Sequence, residues 1–261
     1  MSTDLLFVWD AGLFRPASTQ EQMASLLVAD SWLVENQQVI APDKHFARFL
    51  KSCQAQTTNL PADRERFWAC MPSLYPKQGR WFPRVELILV GNQTYFALRV
   101  RGAPAPSTEI RLVLATQPDP RQQPGIKGPD LERLGRLRQD VMAQGGNEGV
   151  LISPEGLVRE GLTTSLVWWE GHTLCLPALT DGVLPGVTRQ LVLEIAKTLG
   201  VPIAYRRVAQ TDLHKNPVWG LNALHGIRPV VQIIGKSSKT PLYQDIKLWQ
   251  FLYYQYRVSM P

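Results

Sequence analysis

The chain is expected to fold as two α/β (or α+β) halves joined by an extended connector, and three observations carry that expectation. Runs of β-branched and aromatic residues alternate with amphipathic helical stretches in both halves. Residues 117–125, QPDPRQQPG, hold three prolines in nine positions, a composition that suits neither helix nor central strand. The chain of 261 residues, 44% of them hydrophobic, is long enough for one large domain or two of ordinary size. The implied boundaries are an N-terminal domain 1–116, a linker 117–126 and a C-terminal domain 127–261.

Taken in order, SLLVADSWLVENQQVIAPD reads as a strand pair broken at Glu35-Asn36. KHFARFLKSCQ then places Phe46, Phe49, Leu50 and Cys53 at helical spacing. RVELILVGNQTYFALRVRG is two strands about a turn at Gly91-Asn92, and EIRLVLAT is a further strand. Beyond the connector, Pro129 suits the first turn of a helix striped by Leu131, Leu134, Leu137 and Val141 and ended by Gly145-Gly146. GVLISPEGLVREGLTTSLVWWEGHTLCLP reads as strands with turns at Pro154–Gly156 and Glu170-Gly171. LPGVTRQLVLEIAKTLG is a loop feeding an amphipathic helix that stops at Gly200. VPIAYRRV and RPVVQIIG are strands, and LYQDIKLWQFLYYQYR is a terminal helix.

Composition excludes several function classes. The net charge is +6 and the pI near 9.3, but the Lys and Arg residues are dispersed singly, which fits an enzyme for anionic substrates better than a nucleic-acid binder. Cys53, Cys70 and Cys175, with His45, His172, His214 and His225, form neither a metal-ligand spacing nor a disulfide framework, so no metal is expected. The opening MSTDLLFVWDAGLF places Asp4 and Asp10 where a leader would need a basic start and an apolar core. No apolar run approaches the ~18 residues of a membrane helix. A soluble, cytoplasmic protein with a small-molecule substrate is the expectation.

Four features stand apart from the core pattern. Lys127 lies on a short Gly-flanked loop, where an amine can approach a ligand and react as a nucleophile, although a solvated surface lysine has the same local sequence. Glu160, in VREGLTTS, follows a strand and precedes Gly and hydroxyls; an exposed turn carboxylate would look alike. In LPGVTR, Gly186 permits close backbone approach and the amides of Val187 and Thr188 open a helix N-terminus suited to an anion. Arg48, on the early helix, is either a bidentate phosphate clamp or a surface ion-pair partner.

The order of these features resembles that of the class IV (fold type IV) pyridoxal-phosphate enzymes: branched-chain aminotransferases, D-amino-acid aminotransferases and 4-amino-4-deoxychorismate lyases. The matching blocks are the Lys after an extended linker, EGVLISPEGLVREGLTTSLVWWEGHTLCLP, LPGVTRQLVLEIAKTLGV and LNALHGIRPV, spanning Lys127 to about residue 233. VADSWLV and KHFARFLKSC match more loosely. The resemblance implies the two-domain D-amino-acid aminotransferase-like fold, pyridoxal 5'-phosphate as cofactor and a homodimer. It implies that Lys127 binds the cofactor covalently and then moves protons at the substrate carbon. Glu160 would face the pyridine nitrogen, and Arg48 with the Val187 and Thr188 amides would hold the phosphate. Asn222 and Ala223 would lie on the loop that closes that phosphate cup.

The chain also departs from the family's pattern. The aminotransferases usually carry Thr or Ser where this chain has Ala223, and the triplet Asn222-Ala223-Leu224 is similar to the lyase branch. The usual G-x-F-E-T residues are missing from the N-terminal strand. The resemblance therefore implies a lyase that releases pyruvate from 4-amino-4-deoxychorismate to give 4-aminobenzoate; a dicarboxylate substrate would also suit basic residues such as Arg99, Arg101 and Arg228, each of which could equally be a surface ion-pair partner. An aminotransferase for D- or branched-chain amino acids is the alternative.

Overall fold

The computed structural model describes residues 4–236, 241–243 and 245–259. The chain forms two compact units, one of residues 1–105, 126–129 and 256–261, the other of residues 106–125 and 130–255.

The first unit opens with a hairpin, β1 (Leu5–Asp10) and β2 (Leu13–Pro16), followed by α1 (Thr19–Gln22), β3 (Ser25–Ser31), β4 (Val34–Glu35) and β5 (Gln38–Ile40). Then come α2 (Pro42–Gln56), α3 (Arg64–Cys70), β6 (Arg80–Trp81), β7 (Arg84–Val90) and β8 (Gln93–Val100). An antiparallel sheet runs β2-β1-β8-β7-β3. Four consecutive positions are buried in β3 (Val28–Ser31) and in β7 (Val85–Ile88), as where both faces of a sheet are covered, and Leu6, Val8, Ile88 and Ala97 form one cluster on it. Phe49, Phe67 and Phe96 are buried elsewhere in the unit, and the last two rings stack at 5.0 Å. The expected break at Glu35-Asn36 is a two-residue hairpin turn in which Asn36 and Gln37 both take positive φ, 48° and 63°, the conformation whose twist suits tight hairpins.

The second unit holds β9 (Ile110–Val113), α4 (Leu131–Ala143), β10 (Glu148–Ile152), β11 (Val158–Gly161), β12 (Ser165–Glu170) and β13 (Thr173–Leu176). It continues with α5 (Val187–Thr198), β14 (Ile203–Tyr205), β15 (Val218–Asn222), β16 (Gly226–Ile233) and α6 (Ile246–Tyr254). These strands form one mixed sheet in the order β11-β10-β9-β16-β15-β12-β13-β14, with β9 parallel to both its neighbours. Strand β12, SLVWWE, is buried at every position but the last, as a strand covered on both faces must be. Trp168 packs in a cluster with Ile110 and Val230, while Trp169 stacks on Tyr243 at 3.8 Å and meets Trp249 edge-on.

Several boundaries differ from the sequence expectation. The first unit ends before β9 rather than at residue 116, because β9 is hydrogen-bonded between β10 and β16. Lys127 groups with the first unit, since the Ala29 N–H of β3 donates to the Lys127 carbonyl at 2.7 Å. The last described residues return to it as strand β17 (Arg257–Ser259), paired with β5. Helix α4 starts at Leu131, past Pro129; the Asp130 carboxylate accepts the N–H groups of Gln122 and Gln123 instead of capping the helix. The terminal helix starts at Ile246, and Gln244 of the expected helix lies outside the described residues. The β1–β2 hairpin and α3 were not anticipated; the alternating Leu6 and Val8 were the available signal for the hairpin.

Candidate active site

In the first unit, the loop bearing Lys127 lies against β3. Gly128 has φ +142°, and a Cβ there would sit 2.8 Å from the Val28 Cα and 2.9 Å from the Ala29 nitrogen. Only glycine permits that approach. Gly125, by contrast, has nothing within 4 Å of such a Cβ, so of the two glycines flanking Lys127 it is Gly128 that the packing requires. The Lys127 ammonium makes no hydrogen bond or ion pair among the described residues. Burial pulls its pKa down to about 8, Arg48, Arg101 and Arg84 push the same way, and Asp30 opposes them.

Asp30 organises the surroundings of Lys127 in the first unit. It is fully buried on β3, and helix α2 presents His45 and Arg48 to it from adjacent positions of one face, i and i+3. Arg48 Nε donates to Asp30 Oδ2 at 2.8 Å and Nη2 to Oδ1 at 2.6 Å, a bidentate fork. His45 Nδ1 lies 2.9 Å from Asp30 Oδ1. Burial would raise the Asp30 pKa, but Arg48 and His45 outweigh it and hold the carboxyl below the usual range. His45 itself is shifted downward by burial, so the pairing is an ionised Asp30, a cationic Arg48 and a neutral imidazole. Sequence reasoning identified Arg48 and missed its partner; the i, i+3 placement of His45 and Arg48, with a lone Asp in an apolar strand, was the signal available.

The second unit carries Glu160 on β11, opposite Leu151 of β10. Its Oε1 accepts from Arg121 Nη1 at 2.6 Å and from the Leu184 N–H at 2.9 Å. Oε2 has no hydrogen-bond donor among the described residues. Burial pushes the carboxyl up to about 7 against the opposing pull of Arg121 and the Leu184 N–H. Arg121 is in turn gripped by Asp119, with Nη2 to Oδ2 at 2.8 Å and Nε to Oδ1 at 3.0 Å. Arg159 Nη1 reaches the same Asp119 carboxylate at 3.3 Å. The proline-rich stretch is thus more than a connector, since it supplies the acid and the base that fix Glu160.

Val187 and Thr188 are the first two residues of α5, both buried, with Gly186 as the preceding cap. Their N–H groups belong to the turn that has no intrahelical acceptor. A Cβ on Gly186 would fall 2.9 Å from Ser165 Oγ, so the glycine keeps the loop tight against β12. Thr188 Oγ1 lies 3.3 Å from the Tyr253 hydroxyl of α6. Asn222 ends β15, and its Oδ1 accepts the His225 N–H at 2.8 Å, closing the turn that carries Ala223. Val187, Thr188, Asn222, Ala223 and Glu160 are thus all in the second unit, whereas Lys127 and Arg48 are in the first. Of the arginines considered for substrate, Arg99 pairs with Glu86 and Asp4. Arg228 is buried, with Nη1 on Ser107 Oγ.

The comparisons with known proteins agree with this architecture. Residues 27–233 match the amino-transferase class IV family, and the chain belongs to it. It is similar to the aminodeoxychorismate lyase of Bacillus subtilis, 31% identical over 87 residues, or 33% of this chain and 30% of that protein. It is also similar to a probable branched-chain-amino-acid aminotransferase of Rickettsia felis, 34% identical over 71 residues, or 27% and 24% of the two chains. The matched segments thus span under a third of each of these relatives. Among solved structures, the PLP-bound form of a hypothetical aminotransferase from Mycobacterium tuberculosis superposes with a TM-score of 0.80 at 15% identity, covering 97% of this chain and 98% of that one. That likeness shows the fold, the fold type IV architecture the sequence implies. No helix among the described residues is long and apolar enough to cross a membrane.

Proposed function

We propose that the chain is a pyridoxal-phosphate-dependent lyase that releases pyruvate from 4-amino-4-deoxychorismate and forms 4-aminobenzoate. The observation that carries this reading is the state of Lys127: an amine without an ion-pair partner among the described residues, its basicity lowered by burial and by three arginines. Such an amine is nucleophilic near neutral pH, and its cationic surroundings suit a substrate with two carboxylates.

The residues fit the cofactor. Glu160 keeps Oε2 for a ring N–H, the two α5 amides and Arg48 suit a phosphate, and Lys127 suits an aldehyde carbon. When bound, pyridoxal phosphate supplies an electron sink for the negative charge left where a proton departs. Lys127 would hold the cofactor in the resting enzyme and would take the ring proton of the substrate during turnover. The C–O bond to the enolpyruvyl group then breaks, and the departing enolpyruvate gains a proton to become pyruvate. Glu160 would face the ring nitrogen of a bound cofactor, with Arg121 favouring the ionised carboxylate that holding a ring N–H requires. Asn222 shapes the turn at the phosphate side, where Ala223 offers a backbone but no hydroxyl. A homodimer is the expected working form.

The turn Asn222-Ala223-Leu224 favours the lyase over the aminotransferase reading, to which the Rickettsia relative points. Purified protein supplied with aminodeoxychorismate and no 2-oxo acid is expected to give 4-aminobenzoate and pyruvate over many turnovers. A rapid loss of cofactor absorbance on adding D-alanine or L-leucine, restored by a 2-oxo acid, would replace the lyase with an aminotransferase.

A further inference from the structure

The first unit contains more basic groups near Lys127 than its carboxylates neutralise. Glu86 is buried on β7 and is shared: Arg84 Nε donates to its Oε1 at 2.7 Å and Arg99 Nε at 2.8 Å. Arg48 is held by Asp30. Arg101, one residue beyond β8, is left without an acid: among the described residues it makes no ion pair.

The Arg101 side chain is nonetheless fixed. Nε donates to the Phe82 carbonyl at 3.1 Å, and Cζ lies 5.1 Å from the Phe82 ring centroid. Its backbone is held as well, with the Phe82 N–H donating to the Arg101 carbonyl at 2.8 Å. Nη1 and Nη2 make no hydrogen bond among the described residues, so the outer fork of the guanidinium is preorganised and unfilled. Burial, Arg84 and Arg99 bring the pKa of this half-buried group down to about 10, leaving it a cation at neutral pH in a place where a cation is disfavoured until an anion joins it. Arg101 also lies close enough to Lys127 to lower the lysine's basicity.

We propose that Arg101 binds a carboxylate of the substrate through its Nη1–Nη2 fork and thereby selects doubly anionic substrates at Lys127. Which dianion it takes rests on the lyase reading; that it takes a carboxylate does not. A planar fork matches a carboxylate bidentately, and an Arg prefixed by its Nε loses less side-chain freedom on binding. Of the other arginines singled out in the sequence, Arg99 is ion-paired with Glu86 and Asp4, and Arg228 belongs to the second unit, where its Nη1 donates to Ser107 Oγ.

Binding to the holoenzyme tests this without turnover. The probes are chorismate, which carries a hydroxyl where the proposed substrate carries an amine, 2-oxoglutarate as a second dicarboxylate, and benzoate as a monocarboxylate. Arg101→Gln is expected to weaken at least one dicarboxylate by about tenfold or more, the value of one charge-assisted contact, and benzoate by less than about twofold. Arg101→Lys, which keeps the charge and loses the fork, should fall between, and it serves if the Gln variant fails to fold. Dicarboxylate affinities within about twofold of wild type in both variants overturn the assignment, as does wild-type protein that binds neither dicarboxylate. The two readings fail separately. Turnover of aminodeoxychorismate with Arg101-independent binding removes Arg101 alone; Arg101-dependent binding of 2-oxoglutarate without such turnover removes the lyase and leaves Arg101 in its role.

Discussion

Lys127 and Glu160 meet the same physical problem in different units of the chain and are given different solutions. Each is a buried ionisable group drawn toward its neutral form, the amine down to about 8 and the carboxyl up to about 7. Around Lys127 the neighbours are mostly arginines, and among the described residues no group pairs with the amine. Around Glu160 the neighbours are an arginine at 2.6 Å and a backbone N–H at 2.9 Å, and Asp119 holds that arginine from behind. The difference teaches what each group is for. On the proposed reading, the amine that would form and break bonds has no pairing partner among the described residues, whereas the carboxylate that would face a ring nitrogen is braced.

The comparison is sharpened most by removing the braced charge. Glu160→Gln keeps the shape and a hydrogen-bonding side chain, so the cofactor should still bind. Turnover should fall by about a hundredfold, because roughly 2.7 kcal/mol of transition-state stabilisation is lost with the charge. Steady-state rates at saturating pyridoxal phosphate, with cofactor content read by absorbance, decide it. Near-normal turnover would mean the bracing serves the fold and not the chemistry.

The candidate residues and the partners that surround them were not equally legible in the sequence. Lys127, Glu160 and the Val187-Thr188 helix start lie in contiguous blocks whose order carries the signal, so single residues could be named. The partners that set their chemistry are remote or were read for another purpose. Asp30 is 18 residues from Arg48 and sits in a strand read only for its apolar pattern. Asp119 and Arg121 lie in a stretch whose prolines dominate any local reading. The same limit explains the domain boundary: prolines mark where helix and strand cannot continue, but the partition is fixed by long-range pairing of β9 and by the Ala29–Lys127 hydrogen bond, which a local pattern does not encode.

Taking away the brace and leaving the carboxylate should have a smaller effect. Arg121 favours the ionised form of Glu160, so Arg121→Met moves the Glu160 pKa further up from about 7. The acidic limb of the pH–rate profile should shift toward higher pH by about one unit, since an opposite charge at this range is worth one to three. At a pH on that limb the variant would run about tenfold slower, and the gap should close as pH rises. A uniform loss at every pH would instead assign Arg121 to cofactor binding or to folding.

The smallest expected effect concerns the unpaired partner, and its sign follows from proton counts. Lys127 is depressed to about 8 in the folded chain, whereas an unfolded lysine titrates near 10.4. Between those values the unfolded chain binds more protons, so stability rises with pH through this window as the cost of burying the ammonium disappears. Glu160 has the opposite sign: its raised pKa makes stability fall as pH climbs from the unfolded carboxylate value toward about 7. Cys53 and Tyr75, both raised by burial, also affect alkaline stability, and a difference measurement removes them because they are common to both proteins. Urea unfolding of the cofactor-free wild type and of Lys127→Met at pH 8 and pH 9 should show a wild-type gain about 1 kcal/mol larger, the share of one proton over one pH unit. The variant, with no amine to titrate, lacks that gain. An equal change in both proteins would mean that the Lys127 amine is paired or solvated, and the contrast with Glu160 would then rest on Glu160 alone.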